Sequence, residues 1–148
     1  MSATSIDAPF APVGFIDYEY ATPSPAAFDI ANHFAEWGGF DCDFSKMPTR
    51  SQRRDFLLTY VNTFSTLLNR EFKQEELDQL FNEVDIFRGA PGFYWGIWAL
   101  IQATISQIDF DYASYAEVRL GEYFAWKDAL LRGSPAETVR EKRWHSED

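Results

Sequence analysis

Residues 13–37 read VGFIDYEYATPSPAAFDIANHFAEW, and this stretch decides the fold. Its first four residues, Val13-Gly14-Phe15-Ile16, form a short apolar, β-capable run that predicts a buried strand. Asp17 and Glu19 follow at once. In an extended backbone residues i and i+2 share a face, so both carboxylates are expected to point the same way from the strand's end. Carboxylates so placed need pairing, hydrogen bonds or a cation. Hard oxygen ligands of this kind suit Mg²⁺, which takes one or two carboxylates plus substrate phosphates. Taken by itself, an Asp-x-Glu is more often a turn former or a surface charge.

Thr22-Pro23-Ser24-Pro25 predicts a turn, with Ser24 as N-cap and Pro25 at the first helical position. A helix is expected over residues 25–37, with Phe28, Ala31, Phe34 and either Ile30 or Trp37 on an apolar stripe. Gly38-Gly39 stops it. Asp29, His33 and Glu36 fall at i, i+4 and i+7 and so line one helix face. Such a row is either a solvated polar face or a second polar wall beside Asp17 and Glu19.

FIDYEYATPSPAAFDIANHFAEW resembles the signature segment of the choline/ethanolamine kinase family, whose fold is protein-kinase-like. That signature is an apolar strand with I-D-[FY]-E-Y, a Pro-containing turn, and F-D-[IL]-x-N-H-x-x-E-W. The resemblance implies that Asp17 is a metal-binding acid, standing where protein kinases have the Asp of D-F-G, with Glu19 a supporting acid near the metals. It also implies that Asp29 braces the active-site backbone, with Asn32 and His33 as structural support, and that Tyr20 and Glu36 contribute to an amine-binding pocket. Mg²⁺ and ATP are the cofactors it implies, and choline or ethanolamine the substrate.

A second segment points the same way. Trp95 and Trp98 are three apart and share a helix face, and Phe110, Tyr112 and Tyr115 gather just after. Aromatics in such a place are usually core. A quaternary ammonium, however, is recognised by a cage of ring faces, each desolvated contact contributing about 0.5–2 kcal/mol. FYWGIWALIQATISQIDFDYASY resembles the second signature of the same family. The resemblance implies that Trp95, Trp98, Phe110, Tyr112 and Tyr115, with Tyr20, surround the ammonium head.

The rest of the chain sets bounds. At 148 residues and 46% hydrophobic it can bury one real core, and 18% aromatic content suggests large buried or pocket-lining rings. A net charge of -10 argues against nucleic acid and against an anionic membrane surface. No run is long and apolar enough to span a bilayer. A single cysteine, Cys42, excludes an intramolecular disulfide, and the reducing cytoplasm is the simplest compartment.

Residues 1–12 are expected to be loop or disordered, residues 13–133 one partial kinase-like C-lobe, and residues 134–148 a charged, partly free tail. Within the lobe, helices are expected from about residue 49 or 51 to 70, from 73 to 87, over 93–108 and over 114–131. The 93–108 helix is apolar nearly all round, which predicts burial. Arg50, Arg53 and Arg54 in the first turn of the helix that starts at about residue 49 or 51 are expected to form a solvated basic patch.

The fold expected is therefore mainly α, the distal part of the helical C-lobe of a protein-kinase-like fold, with a minimal β element near residues 13–16. Against the family pattern, the sequence has no H-N-D-x-x-x-x-N loop to supply a catalytic base and no Gly-rich phosphate loop. No catalytic residue is assigned to it. The expectation is a C-terminal piece of a choline/ethanolamine kinase, inactive alone and binding MgATP weakly, with a missing N-terminal half or a homodimer partner to cover it. The rival is a catalytically dead amine-binding or interaction module.

Overall fold

Six α-helices carry the described part of the chain in the computed structural model, which covers Gly14, residues 16–134 and residues 137–147. They are α1 (Ala26–Ala35), α2 (Arg50–Leu67), α3 (Gln74–Phe87), α4 (Ala90–Ile105), α5 (Tyr112–Arg132) and α6 (Val139–His145), with short 3-10 turns at Glu36–Gly38 and Phe44–Lys46. Among the described residues there is no strand. Of the buried strand expected over residues 13–16, Gly14 and Ile16 are irregular and exposed, while Val13 and Phe15 lie outside the described residues, as do the expected loop residues 1–12.

Helix α1 begins one residue later than its sequence suggests. Pro25 is extended (φ -58°, ψ 134°) and is itself the N-cap, with no side-chain cap bond from Ser24. Its carbonyl accepts from the amides of Phe28 and Asp29. The buried face of α1, Ala27, Ile30, Ala31 and Phe34, joins Leu57 of α2 and Leu77, Phe81 and Val84 of α3 in the main core.

Part of the charged tail, expected to be partly free, packs into that core. Trp144 of α6 is 1% exposed and meets Phe34 edge-on. Arg53, expected in a solvated patch, is equally buried. Its guanidinium lies 3.7 Å from the Trp144 ring, donates to the carbonyls of Pro48 and Trp144, and pairs with Asp85 at 3.4 Å. Burial pushes Arg53 down to about 10 even with Asp85 beside it. The indole face, two carbonyls and Asp85 together offset the cost of burying this charge. Arg50 and Arg54 stay exposed.

Helices α4 and α5 form the second layer. A Cβ on Gly92 would stand 2.7 Å from the Arg119 carbonyl oxygen, and one on Gly89 2.1 Å from the Trp126 ring, so both glycines are required by the closeness of the two helices. Pro91 falls in the first turn of α4, where its missing amide is no loss, so the helix starts at Ala90 rather than after a break. This geometry overturns the expectation that α4 is buried all round. Its small residues, Gly92, Gly96 and Ala99, take the buried side, while Phe93, Ile97, Leu100, Ile101 and Ile105 remain exposed. Tyr60, Phe64 and Leu67 of α2 are likewise uncovered.

Candidate functional site

Two cavities meet in front of α1 and α4. The larger, about 610 Å³, is lined by Asp17, Tyr20 and the 21–24 turn, by Asp29 and Asn32 of α1, and by Tyr94 and Trp95 of α4. The smaller, about 240 Å³, is lined by Asp17, Tyr20, Glu36, Phe40, Trp95, Trp98 and Tyr115. Asp17, Tyr20 and Trp95 belong to both.

Asp17 reaches that junction through an unusual backbone. Its φ is 64°, the left-handed region, which Asp tolerates better than most residues. The next residues close a turn, the Ala21 amide donating to the Tyr18 carbonyl at 3.0 Å. The extended alternation that would set Asp17 and Glu19 side by side is therefore lost. Glu19 lies in the turn, exposed and outside both cavities.

The polar row of α1 divides. Asp29 lines the larger cavity and Glu36 the smaller, whereas His33 stacks on Phe56 at 5.1 Å and accepts the Trp37 indole N–H at 3.3 Å. Asn32 accepts the Trp95 indole N–H at 2.7 Å and so fixes that ring. Tyr20 does the same for Trp98 at 3.0 Å.

The rings expected to gather do so in one unbroken series. Centroid separations are 6.1 Å for Tyr20–Trp95, 5.7 Å for Trp95–Trp98, 5.7 Å for Trp98–Tyr112, 4.9 Å for Tyr112–Phe110 and 5.8 Å for Phe110–Tyr115. Ring faces with carboxylates at the edge are the chemistry that an organic cation would require.

Sequence reasoning missed two members. Phe40 stacks on Tyr115 at 4.9 Å and 16°, brought there after Gly39 turns the chain at φ 64°. An aromatic directly behind a Gly-Gly stop was its only signal. Arg119, one helical turn after Tyr115, donates to the Tyr115 hydroxyl at 3.2 Å and to Glu36 Oε1 at 2.9 Å. Burial works to lower its pKa, but the charge and hydrogen bond of Glu36, with the Tyr115 and Cys42 side chains, together outweigh that and hold it above the usual value. Burial also raises the Tyr115 phenol and the neighbouring Cys42 thiol, against the pull of Arg119.

For a divalent cation the donor set is hard but sparse. Asp17 and Asp29 line the larger cavity, and among the described residues no group of three or more acidic, His or Cys side chains comes together. That fits Mg²⁺ only in the manner of an ion completed by phosphate oxygens. Among the described residues no helix is long and apolar enough to cross a membrane.

A family model described as choline/ethanolamine kinase matches residues 10–124. A probable ethanolamine kinase of Nematostella vectensis is 41% identical over 120 residues, covering 78% of this chain and 34% of that protein. Ethanolamine kinase 1 of Homo sapiens is 42% identical, covering 78% of this chain and 26% of that protein. Among solved structures, an ethanolamine kinase of Plasmodium vivax superposes with a TM-score of 0.64 at 34% identity, over 77% of this chain and 29% of that one. The chain thus spans about a quarter to a third of the length of these relatives.

Proposed function

The chain belongs to the choline/ethanolamine kinase family, and from that premise we propose that it supplies the amino-alcohol site of an ATP-dependent phosphotransferase. The observation that carries this reading is the unbroken ring series from Tyr20 to Tyr115 with Glu36 and Asp17 at its edge. The ammonium head of choline or ethanolamine enters the smaller cavity, where ring faces and Glu36 stabilise the charge. Its hydroxyl, two carbons away, then lies toward the shared edge at Asp17. Asp17 would hold Mg²⁺, which neutralises charge on the phosphoryl group in transfer. Tyr20 and Asn32 orient Trp98 and Trp95 through their indole N–H groups.

Among the described residues neither histidine is placed to take the proton of the substrate hydroxyl. His33 is stacked on Phe56, and His145 is bonded at the Glu141 carbonyl, 2.8 Å away. We therefore propose that this chain binds the amino-alcohol without turning it over. ADP release with saturating MgATP and choline or ethanolamine should not exceed that of an Asp17→Ala control. Turnover above that control would show that the chain carries its own base.

A further inference from the structure

The Arg119–Glu36 pair is asymmetric. The arginine side chain is 4% exposed and the glutamate 41%. An unpaired buried guanidinium is costly, so Arg119 depends on Glu36, whereas a half-exposed carboxylate could hydrate instead. The pull therefore runs one way: the guanidinium draws the carboxylate in from solvent. Glu36 and Tyr115, both bonded to Arg119, are two walls of the smaller cavity, and they come from the turn after α1 and from α5. Arg119 itself does not line that cavity.

We propose that Arg119 is a positioning residue for ammonium recognition, holding the Glu36 carboxylate and the Tyr115 ring in place so that a cationic head meets a fixed charge and a fixed ring face. This rests on the amine-site reading above. A merely electrostatic role would act with the opposite sign. Deleting the arginine leaves the site one charge more negative and would strengthen every cation. Positioning predicts that the freed carboxylate turns to water, where it is screened, and that discrimination between a cation and its neutral isostere declines.

The measured quantity is the ratio of dissociation constants of 3,3-dimethyl-1-butanol and choline, titrated on the 148-residue chain by tryptophan emission. In Arg119→Met the ratio falls about fivefold, to the level of Glu36→Gln, as expected for a half-exposed charge. Arg119→Lys, whose single ammonium lacks the planar fork, falls between wild type and Glu36→Gln. In the Glu36→Gln background Arg119→Met adds only a smaller drop, that of the released Tyr115 ring, because the larger share acts through the carboxylate. A folded Arg119→Met with an unchanged or raised ratio overturns the proposal. So does Glu36→Gln with the wild-type ratio, or Arg119→Lys with the wild-type ratio, neither of which requires Arg119→Met to fold. A wild-type chain with no preference for choline removes the amine-site reading itself, and this proposal with it.

Discussion

Trp98 of α4 donates its indole N–H to the hydroxyl of Tyr20, 78 positions earlier, at 3.0 Å. The bond ties the turn that presents Asp17 to the helix that carries the aromatic wall. One contact thus couples the acid end of the site to its cation end.

Tyr20→Phe removes that acceptor and leaves the ring. A hydrogen bond at a partly exposed rim has a net value near 1 kcal/mol, so choline should bind about two- to tenfold more weakly, with the thermal midpoint little changed. Isothermal titration checks it. Wild-type affinity in Tyr20→Phe would mean that Trp98 is held by packing alone.

The Glu122 carboxyl offers a pH signature outside the site. Burial pushes it above its ordinary value of about 4.5, with Arg140 pulling it down, Glu141 pushing it up and Arg119 opposing. Its Oε2 is buried with no hydrogen-bond partner among the described residues. The folded chain holds this proton to a higher pH than the unfolded chain, so ionisation opposes folding above the raised pKa. Glu122→Gln should therefore stabilise the chain at pH 7. The gain should shrink as pH falls through the raised pKa and reach a constant remainder below about 4.5. Urea midpoints across that range decide it; a gain that does not change with pH would contradict the account.

Trp144 closes the main core from the far end of the chain. Its ring covers the Arg53 guanidinium at 3.7 Å, and its N–H bonds to Asp85 at 2.8 Å. Trp144→Ala should destabilise by about 3–5 kcal/mol, read from urea unfolding. A loss under about 1 kcal/mol would show that α6 is dispensable to the fold.

Much of the ring cluster was legible because it is carried by local signals, whereas its reading as an amine site came from the family resemblance. The Trp95–Trp98 spacing and the cluster at Phe110, Tyr112 and Tyr115 need only helical periodicity and short reach, and the structure joins them in one ring series. What failed were inferences about surroundings. The same-face reading of Asp17 and Glu19 assumed an extended backbone, which the positive φ of Asp17 breaks. Arg53 and Trp144 looked like surface and tail because a charged residue and a charged segment are usually solvated. Only the three-dimensional meeting of α2, α3 and α6 gives them each other. Helix α4 reads as buried from its composition, yet its bulky side faces outward because its glycines are needed against α5.

A cation entering the smaller cavity lies against Trp95 and Trp98, and their indole N–H resonances report on that directly. Five tryptophans give five such signals. Titration with choline should move those of Trp95 and Trp98, bonded to Asn32 and Tyr20, and leave Trp144, bonded to Asp85 in the core, in place. The neutral 3,3-dimethyl-1-butanol should move them less at the same concentration. Equal shifts from both ligands, or choline shifts that bypass Trp95 and Trp98, would contradict the assignment of this chain as an amine site.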